Sequence, residues 1–273
     1  MEMKKVSSLA EVKAVFEGIE ENGDEWFSNL LASDGELARW IDKGQVSLAA
    51  TPTTAMLFRQ RYGCQRLYFA NVKREQLAED LQRCLAGVKE NVITAILDRK
   101  GESTPIKTAL QKCAFSRYAL LQRLVKVNQP KPAEDVAVDY AKPEDLSRIE
   151  EIIRRYFDPL LDHWPDQDEI AAAIREKRIL VARLPENGNV IAVDSFEQVG
   201  KTVYNRYVVS MEEYRKQRSY GTFLMGQSMA LHCNARRIVG WVKDDNFVSL
   251  RMHNKYGLVF DGTTDETFLW DEH

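Results

Sequence analysis

Apolar positions along this chain change their spacing several times, and each change marks an element. In the second half, Leu146, Ile149, Ile152, Ile153, Tyr156 and Phe157 recur at helical spacing, the stripe of a helix with one buried face. Pro143-Glu144-Asp145 precedes them, with proline in the first turn and negative charge at the positive end of the dipole. A second helix is expected over 168–175. Strands are expected over 136–140, 179–184, 190–199 and 202–210, the middle two separated by an Asn-Gly hairpin signal at Asn187-Gly188. A turn follows, then a helix opening at Thr222, a strand over 238–242, a helix from Phe247 and a last strand.

The first half shows a similar order. Helices are expected over 8–20 and 26–43, and strands over 46–50, 55–60 and 65–70. A helix at 74–85, a strand at 92–97, a helix at 105–112 and an apolar stretch at 118–127 complete it. Between the halves lies Asn128-Gln129-Pro130-Lys131-Pro132-Ala133-Glu134-Asp135. Two prolines one residue apart deny both helix and central strand, and the flanking charges keep the segment in water. The expected domains are therefore 1–128 and 136–273, joined by a linker at 129–135.

Composition narrows the classes. A chain of 273 residues has length for two ordinary domains. Its net charge of −3 provides no basic field for nucleic acid or anionic membrane. No apolar run approaches the roughly 18 residues a spanning helix needs, and the first residues lack a signal-peptide core. Cys64, Cys84, Cys113 and Cys233 are scattered without CxxC pairs or histidine companions, so reduced thiols in a cytoplasmic protein are expected and no metal site is.

The chemistry concentrates between Tyr207 and Leu258. A Val-rich strand, Tyr207-Val208-Val209, runs into Tyr214-Arg215-Lys216-Gln217-Arg218-Ser219-Tyr220-Gly221, and a helix follows. The first turn of a helix carries N–H groups without internal partners and a dipole that favours anions. Arg215, Lys216 and Arg218 add cationic side chains, which suits a ligand with several phosphates. Further on, Asn246, Ser249, Met252, His253, Lys255, Gly257 and Leu258 form a second spaced set.

These two motifs, in this order, resemble the GNAT superfamily of acetyl-CoA-dependent N-acetyltransferases. Three departures stand out: Lys216 and Ser219 replace the usual first residue and first glycine of the phosphate turn, and His253 stands at the usual tyrosine. The resemblance implies an α+β (mixed α/β) fold, with two GNAT-like domains in tandem, each a mixed, mostly antiparallel sheet flanked by helices. It implies acetyl-CoA as cofactor. Val208 and Val209 would hydrogen-bond its pantetheine arm, and Arg215, Lys216, Gln217, Arg218, Ser219, Tyr220, Gly221 and Thr222 would hold its diphosphate. Asn246 would orient the arm or the thioester, or cap its helix, and Ser249 would join it in binding the cofactor. His253 takes the general-acid position.

A general base is sought on the strands facing the cleft, where Asp194, Glu197 and Tyr204 are the candidates. Strand alternation puts Asp194 and Glu197 on opposite faces, and Glu197 is preferred. His163-Trp164 lies in the loop where the family builds its acceptor pocket. The expected partner is a small-molecule or peptide amine acceptor, with no nucleic acid or membrane, and a homodimer is among the arrangements allowed. A CoA-responsive sensor with decayed catalysis is the alternative.

The first half reads as a divergent copy. Placing Lys112-Cys113-Ala114-Phe115 on Lys255-Tyr256-Gly257-Leu258 sets Ser103 on Asn246 and Leu110 on His253. Its turn, Asn71-Val72-Lys73-Arg74-Glu75, has no glycine, and the Cβ of Val72 would keep the backbone off a pyrophosphate. This half is expected to keep the fold without the cofactor site.

Overall fold

The computed structural model describes residues 3–23, 25–129, 136–215 and 219–271. The chain forms two compact units, Met1–Leu120 with Thr263–His273 and Leu121–Gly262.

Unit 1 opens with β1 (Lys4–Lys5), α1 (Leu9–Glu20), β2 (Phe27–Ser28) and α2 (Asp34–Asp42). The antiparallel run β3 (Val46–Ala50), β4 (Thr54–Arg61) and β5 (Cys64–Asn71) follows. Then come α3 (Leu77–Leu85), β6 (Val92–Arg99) and α4 (Thr104–Lys112). Ala55, Met56, Leu57 and Phe58 are all fully buried, which is why β4 reads as an unbroken apolar run: both of its faces are covered. One face carries Met56, Phe58, Leu67 and Phe69 against α3 and α4, and the other carries Leu57 and Ala70 against α1 and α2.

Unit 2 contains the second part of β7 (Ser116–Val127), then α5 (Leu146–Tyr156) after a 3-10 turn, and α6 (Gln167–Arg175). Its strands continue with β8 (Ile179–Arg183), β9 (Val190–Val199) and β10 (Thr202–Ser210). They are followed by a short α7 (Glu212–Arg215), α8 (Tyr220–Leu231), β11 (Arg237–Lys243) and α9 (Phe247–Lys255). The strand order is β7-β11-β10-β9-β8, antiparallel except for β10 against β11. Helices α5 and α6 cover the face with Val181, Val193 and Val209, and α8 covers the face with Leu180, Ala192 and Phe196.

Three expectations change. The last strand, β12 (Val259–Trp270), pairs with β6 of unit 1 from Thr263 to Trp270, while residues 121–127 pair with β11 of unit 2. The units therefore do not divide at the proline-rich linker, of which 130–135 lie outside the described residues. Each unit completes its sheet with the other half's last strand, a long-range pairing that local patterns do not encode. The helix expected over 26–43 is instead β2 and α2. Ser33 sets the true start, its hydroxyl accepting from the Glu36 N–H while the Glu36 carboxylate accepts from the Ser33 N–H. Of the strand expected over 136–140, a single bridge remains, Tyr140 against Leu180.

Candidate active site

The parallel pair β10 and β11 makes four rungs, from Thr202 opposite Arg237 to Asn205 opposite Gly240, and then parts. The register of β10 against β9 slips at the same level, between Asn205 and Tyr207, leaving Arg206 as an extra residue. A bulge bends its strand and sharpens the twist, which carries the upper half of β10 away from β11. Residues 207–210 stay paired with β9 on one edge, and no described strand pairs with their other edge. Val208 packs on the α8 side and Val209 on the α5 and α6 side.

Above this opening stands the N-terminus of α8, at Tyr220 rather than Thr222. Ser219 does not cap the helix; its hydroxyl donates to Thr222 Oγ1 at 2.6 Å. A Cβ built on Gly221 meets nothing nearer than Ser210 Oγ at 3.7 Å. The protein's own packing therefore tolerates a Cβ here and does not demand glycine. Tyr256 ties α9 to this turn, donating from its hydroxyl to the Thr222 carbonyl at 2.6 Å. Gly226 makes space for that ring, since a Cβ there would lie 2.8 Å from the Tyr256 hydroxyl.

Of the expected phosphate-turn residues, Lys216, Gln217 and Arg218 lie outside the described residues. Arg215 closes α7 and is engaged within the protein. Its Nε donates to the Ser210 carbonyl at 3.0 Å, Nη1 lies 3.4 Å from Glu212, and the guanidinium sits over the Tyr156 ring. It holds α7 to β10 and α5, a role its place in a basic run does not announce.

Asn246 caps α9, its Oδ1 accepting from the Ser249 N–H at 3.1 Å, and its amide nitrogen makes no hydrogen bond to a described residue. His253 is buried against β11. Its Nδ1 lies 2.8 Å from the Ser249 carbonyl, which requires an N–H there, and a Cβ on Gly240 would sit 3.0 Å from Nε2. Burial pulls its pKa down, against a smaller upward pull from the Ser249 carbonyl. The result is a neutral imidazole at pH 7 whose Nε2 is a lone pair: a proton acceptor, whereas the sequence motif suggested an acid.

Asp194 and Glu197 do face opposite ways. Glu197 sits across from Tyr204, half exposed, and forms an ion pair with the bulge residue Arg206. Asp194 points under α8 and is fully buried, which removes it as a base for the acceptor side. Neither of its oxygens has a hydrogen-bond partner among the described residues, and the same holds for Ser228 Oγ, Asn205 Oδ1 and His232 Nε2 in this layer. Burial pushes the Asp194 carboxyl up to about 7, with the Ser228 hydroxyl close enough to oppose that pull though outside hydrogen-bonding geometry.

A carboxyl titrating near 4 when unfolded and near 7 when folded binds its proton more tightly in the native state, so stability falls as pH rises between those values. Asp194→Asn has no such proton to lose. Its stability relative to the wild-type chain is expected to rise by about 3 kcal/mol between pH 5 and pH 8. Thermal melts of both proteins across that range check this; a gap that stays constant would mean Asp194 does not titrate there.

The loop between α5 and α6 closes the opposite face. The Tyr207 hydroxyl, just past the bulge, donates to the His163 carbonyl, and its ring meets Phe157 edge-on at 5.0 Å. Trp164 Nε1 donates to the Phe157 carbonyl at 2.9 Å. His163 and Trp164 are thus brought beside β10, and Tyr207 is the residue that brings them. A tyrosine in a Val-rich strand was the only sequence signal for that role.

The sequence matches no family model and no curated protein. Solved structures do match in fold. A GCN5-related N-acetyltransferase from Sphaerobacter thermophilus superposes with a TM-score of 0.64 at 16% identity, over 98% of this chain and 95% of that one. A tandem GNAT protein from the clavulanic acid biosynthesis pathway gives 0.60 at 10% identity, over 98% of both chains. A GNAT-family acetyltransferase from Colwellia psychrerythraea gives 0.56 at 9% identity, over 99% of this chain and 100% of that one. The chain has the tandem GNAT fold, in which each unit is a mixed, mostly antiparallel sheet flanked by helices.

Proposed function

We propose that the chain is an N-acyltransferase which moves an acetyl group from acetyl-CoA to a primary amine, by direct transfer in a ternary complex in unit 2. The observation that carries this reading is the parting of β10 from β11 after Asn205 and Gly240, beside a helix start that Ser219 does not cap and where Gly221 lies next to Ser210 of β10. An amide-bearing arm fits the open edge at residues 207–210. The backbone N–H groups at the start of α8 suit the diphosphate, with Lys216 and Arg218 adding charge. Bound acetyl-CoA supplies the acyl group as a thioester, already activated towards attack.

The residues around the opening divide the remaining work. Tyr207 holds the α5–α6 loop as one wall of the acceptor side. Glu197, on the face away from Asp194 and ion-paired with Arg206, would take a proton from an incoming ammonium. Proton donation at the other end falls to water, because His253 presents a lone pair.

That state of His253 is also the observation favouring the second reading, a CoA-responsive binding protein with decayed catalysis. Thiol release from acetyl-CoA, followed across a panel of primary amines, separates the two. Amine-dependent release that drops at least tenfold in Glu197→Gln is the outcome expected for the enzyme. Binding without release for any amine would favour the sensor.

A further inference from the structure

We infer that residues 25–29 are a built-in occupant of unit 1's own groove, so that unit 1 has no room there for an external extended ligand. Unit 1 contains the same parting strands as unit 2. Its parallel pair β5 and β6 makes only two rungs, Gln65 opposite Val92 and Arg66 opposite Ile93. Along its other edge β5 is paired with β4 from Cys64 to Asn71. Anything else that pairs with β5 beyond Arg66 must therefore lie on the edge that β6 has left.

That position is taken by β2, antiparallel to β5, with Phe27 opposite Asn71 and Ser28 opposite Ala70. Asn29 then bridges both strands. Its backbone N–H donates to the Phe69 carbonyl at 3.1 Å, and its Oδ1 accepts from the Phe69 N–H at 2.7 Å. Its Nδ2 donates to Thr94 Oγ1 at 2.9 Å and to the Ala95 carbonyl at 3.1 Å on β6. Thr94 in turn donates to the Leu67 carbonyl at 2.8 Å, which closes the gap from below. Each of these bonds is one that an amide-bearing ligand would have to displace.

The same segment covers the turn after β5. A Cβ on Gly23 would lie 2.5 Å from the Cβ of Val72, so the chain passes here with no space to spare. Glu25 forms an ion pair with Arg74 of that turn at 3.2 Å. In unit 2 the equivalent loop between helices touches β10 through side chains, by way of Tyr207 and Phe157, and no described segment pairs as a strand with that edge of residues 207–210. One loop position thus has two outcomes, inserted in unit 1 and withdrawn in unit 2.

The inference holds whether or not unit 2 transfers acyl groups, and amide hydrogen exchange on the full chain tests it with CoA as the probe. Without CoA, the amides of 67–71 and 94–96 are expected to exchange slowly, and Asn29→Ala is expected to speed Phe69 at least tenfold. With millimolar CoA, these amides in the wild-type chain are expected to stay unchanged. Fast exchange at Phe69 in the wild type would show that the segment does not reside in the groove and would overturn the inference, as would added protection of 67–71 by CoA. If CoA protects nothing anywhere, the reading of unit 2 fails while unit 1's slow exchange still supports its occupant. Should Asn29→Ala not fold, the two wild-type measurements decide alone.

Discussion

Phe268→Ala is expected to destabilise unit 1 by about 3–5 kcal/mol, the range for emptying a fully buried aromatic site. Phe268 is 0% exposed and packs with Phe58, Leu67, Ile96 and Leu110, although it lies in the last few residues of the chain. The strand that carries it pairs with β6 at eight successive positions, Thr263 against Arg99 to Trp270 against Val92. Glu266 on that strand meets the Lys107 ammonium at 2.8 Å, and Asp98 meets it at 2.6 Å. Burial would lower the Lys107 pKa, but the two carboxylates together hold it above its usual value. Val259→Ala, at an exposed position in the other part of β12, should change stability by less than about 0.5 kcal/mol. Urea unfolding followed by exchange protection in β4 and β9 checks both; loss of protection in β9 with β4 intact would show that the strand serves the other unit.

Gly221→Ala is expected to leave folding intact and to weaken CoA binding by at least tenfold. The Cβ has room within the protein, with Ser210 Oγ at 3.7 Å as its nearest neighbour, and alanine is the better helix former. Any loss of affinity therefore reports on what lies against the helix start from outside. The substitution separates two explanations for the glycine, internal packing and ligand approach, which sequence cannot distinguish. Calorimetric titration, alongside a thermal melt of the free protein, measures both quantities. An alanine variant with unchanged melting and unchanged affinity would place the diphosphate elsewhere.

Local patterns carried much of the architecture. The strands of both units emerged from their apolar runs, Ala55–Phe58 in β4 and Val190–Val193 in β9, because those stretches are buried on both faces. The start of α9 was readable from Asn246, whose cap bond to Ser249 is made as the residue types suggest. Sequence could not reveal which strand completes which sheet. Residues 121–127 and 263–270 are ordinary strand-forming segments, and their partners are chosen by pairings over a hundred residues apart.

The site was legible in outline. The Val-rich strand and a helix after the turn are present, but the helix begins at Tyr220 and takes Gly221 into its first turn. Side-chain states were not legible, because they depend on neighbours from other elements. Asp194 is withdrawn under α8, His253 is fixed by the Ser249 carbonyl, and Arg215 is turned onto Ser210 and Tyr156. The bonds that join β5 and β6 through Asn29 were not legible at all, since no motif marks that residue.

A crystal structure of the chain grown with CoA tests the central claim most directly. The expected result is a pantetheine arm hydrogen-bonded along β10 between Tyr207 and Ser210, its diphosphate against the first turn of α8 at Gly221, and no second molecule between β5 and β6. Coenzyme bound at another place, or a cleft between β10 and β11 that stays empty at saturating CoA, would contradict it.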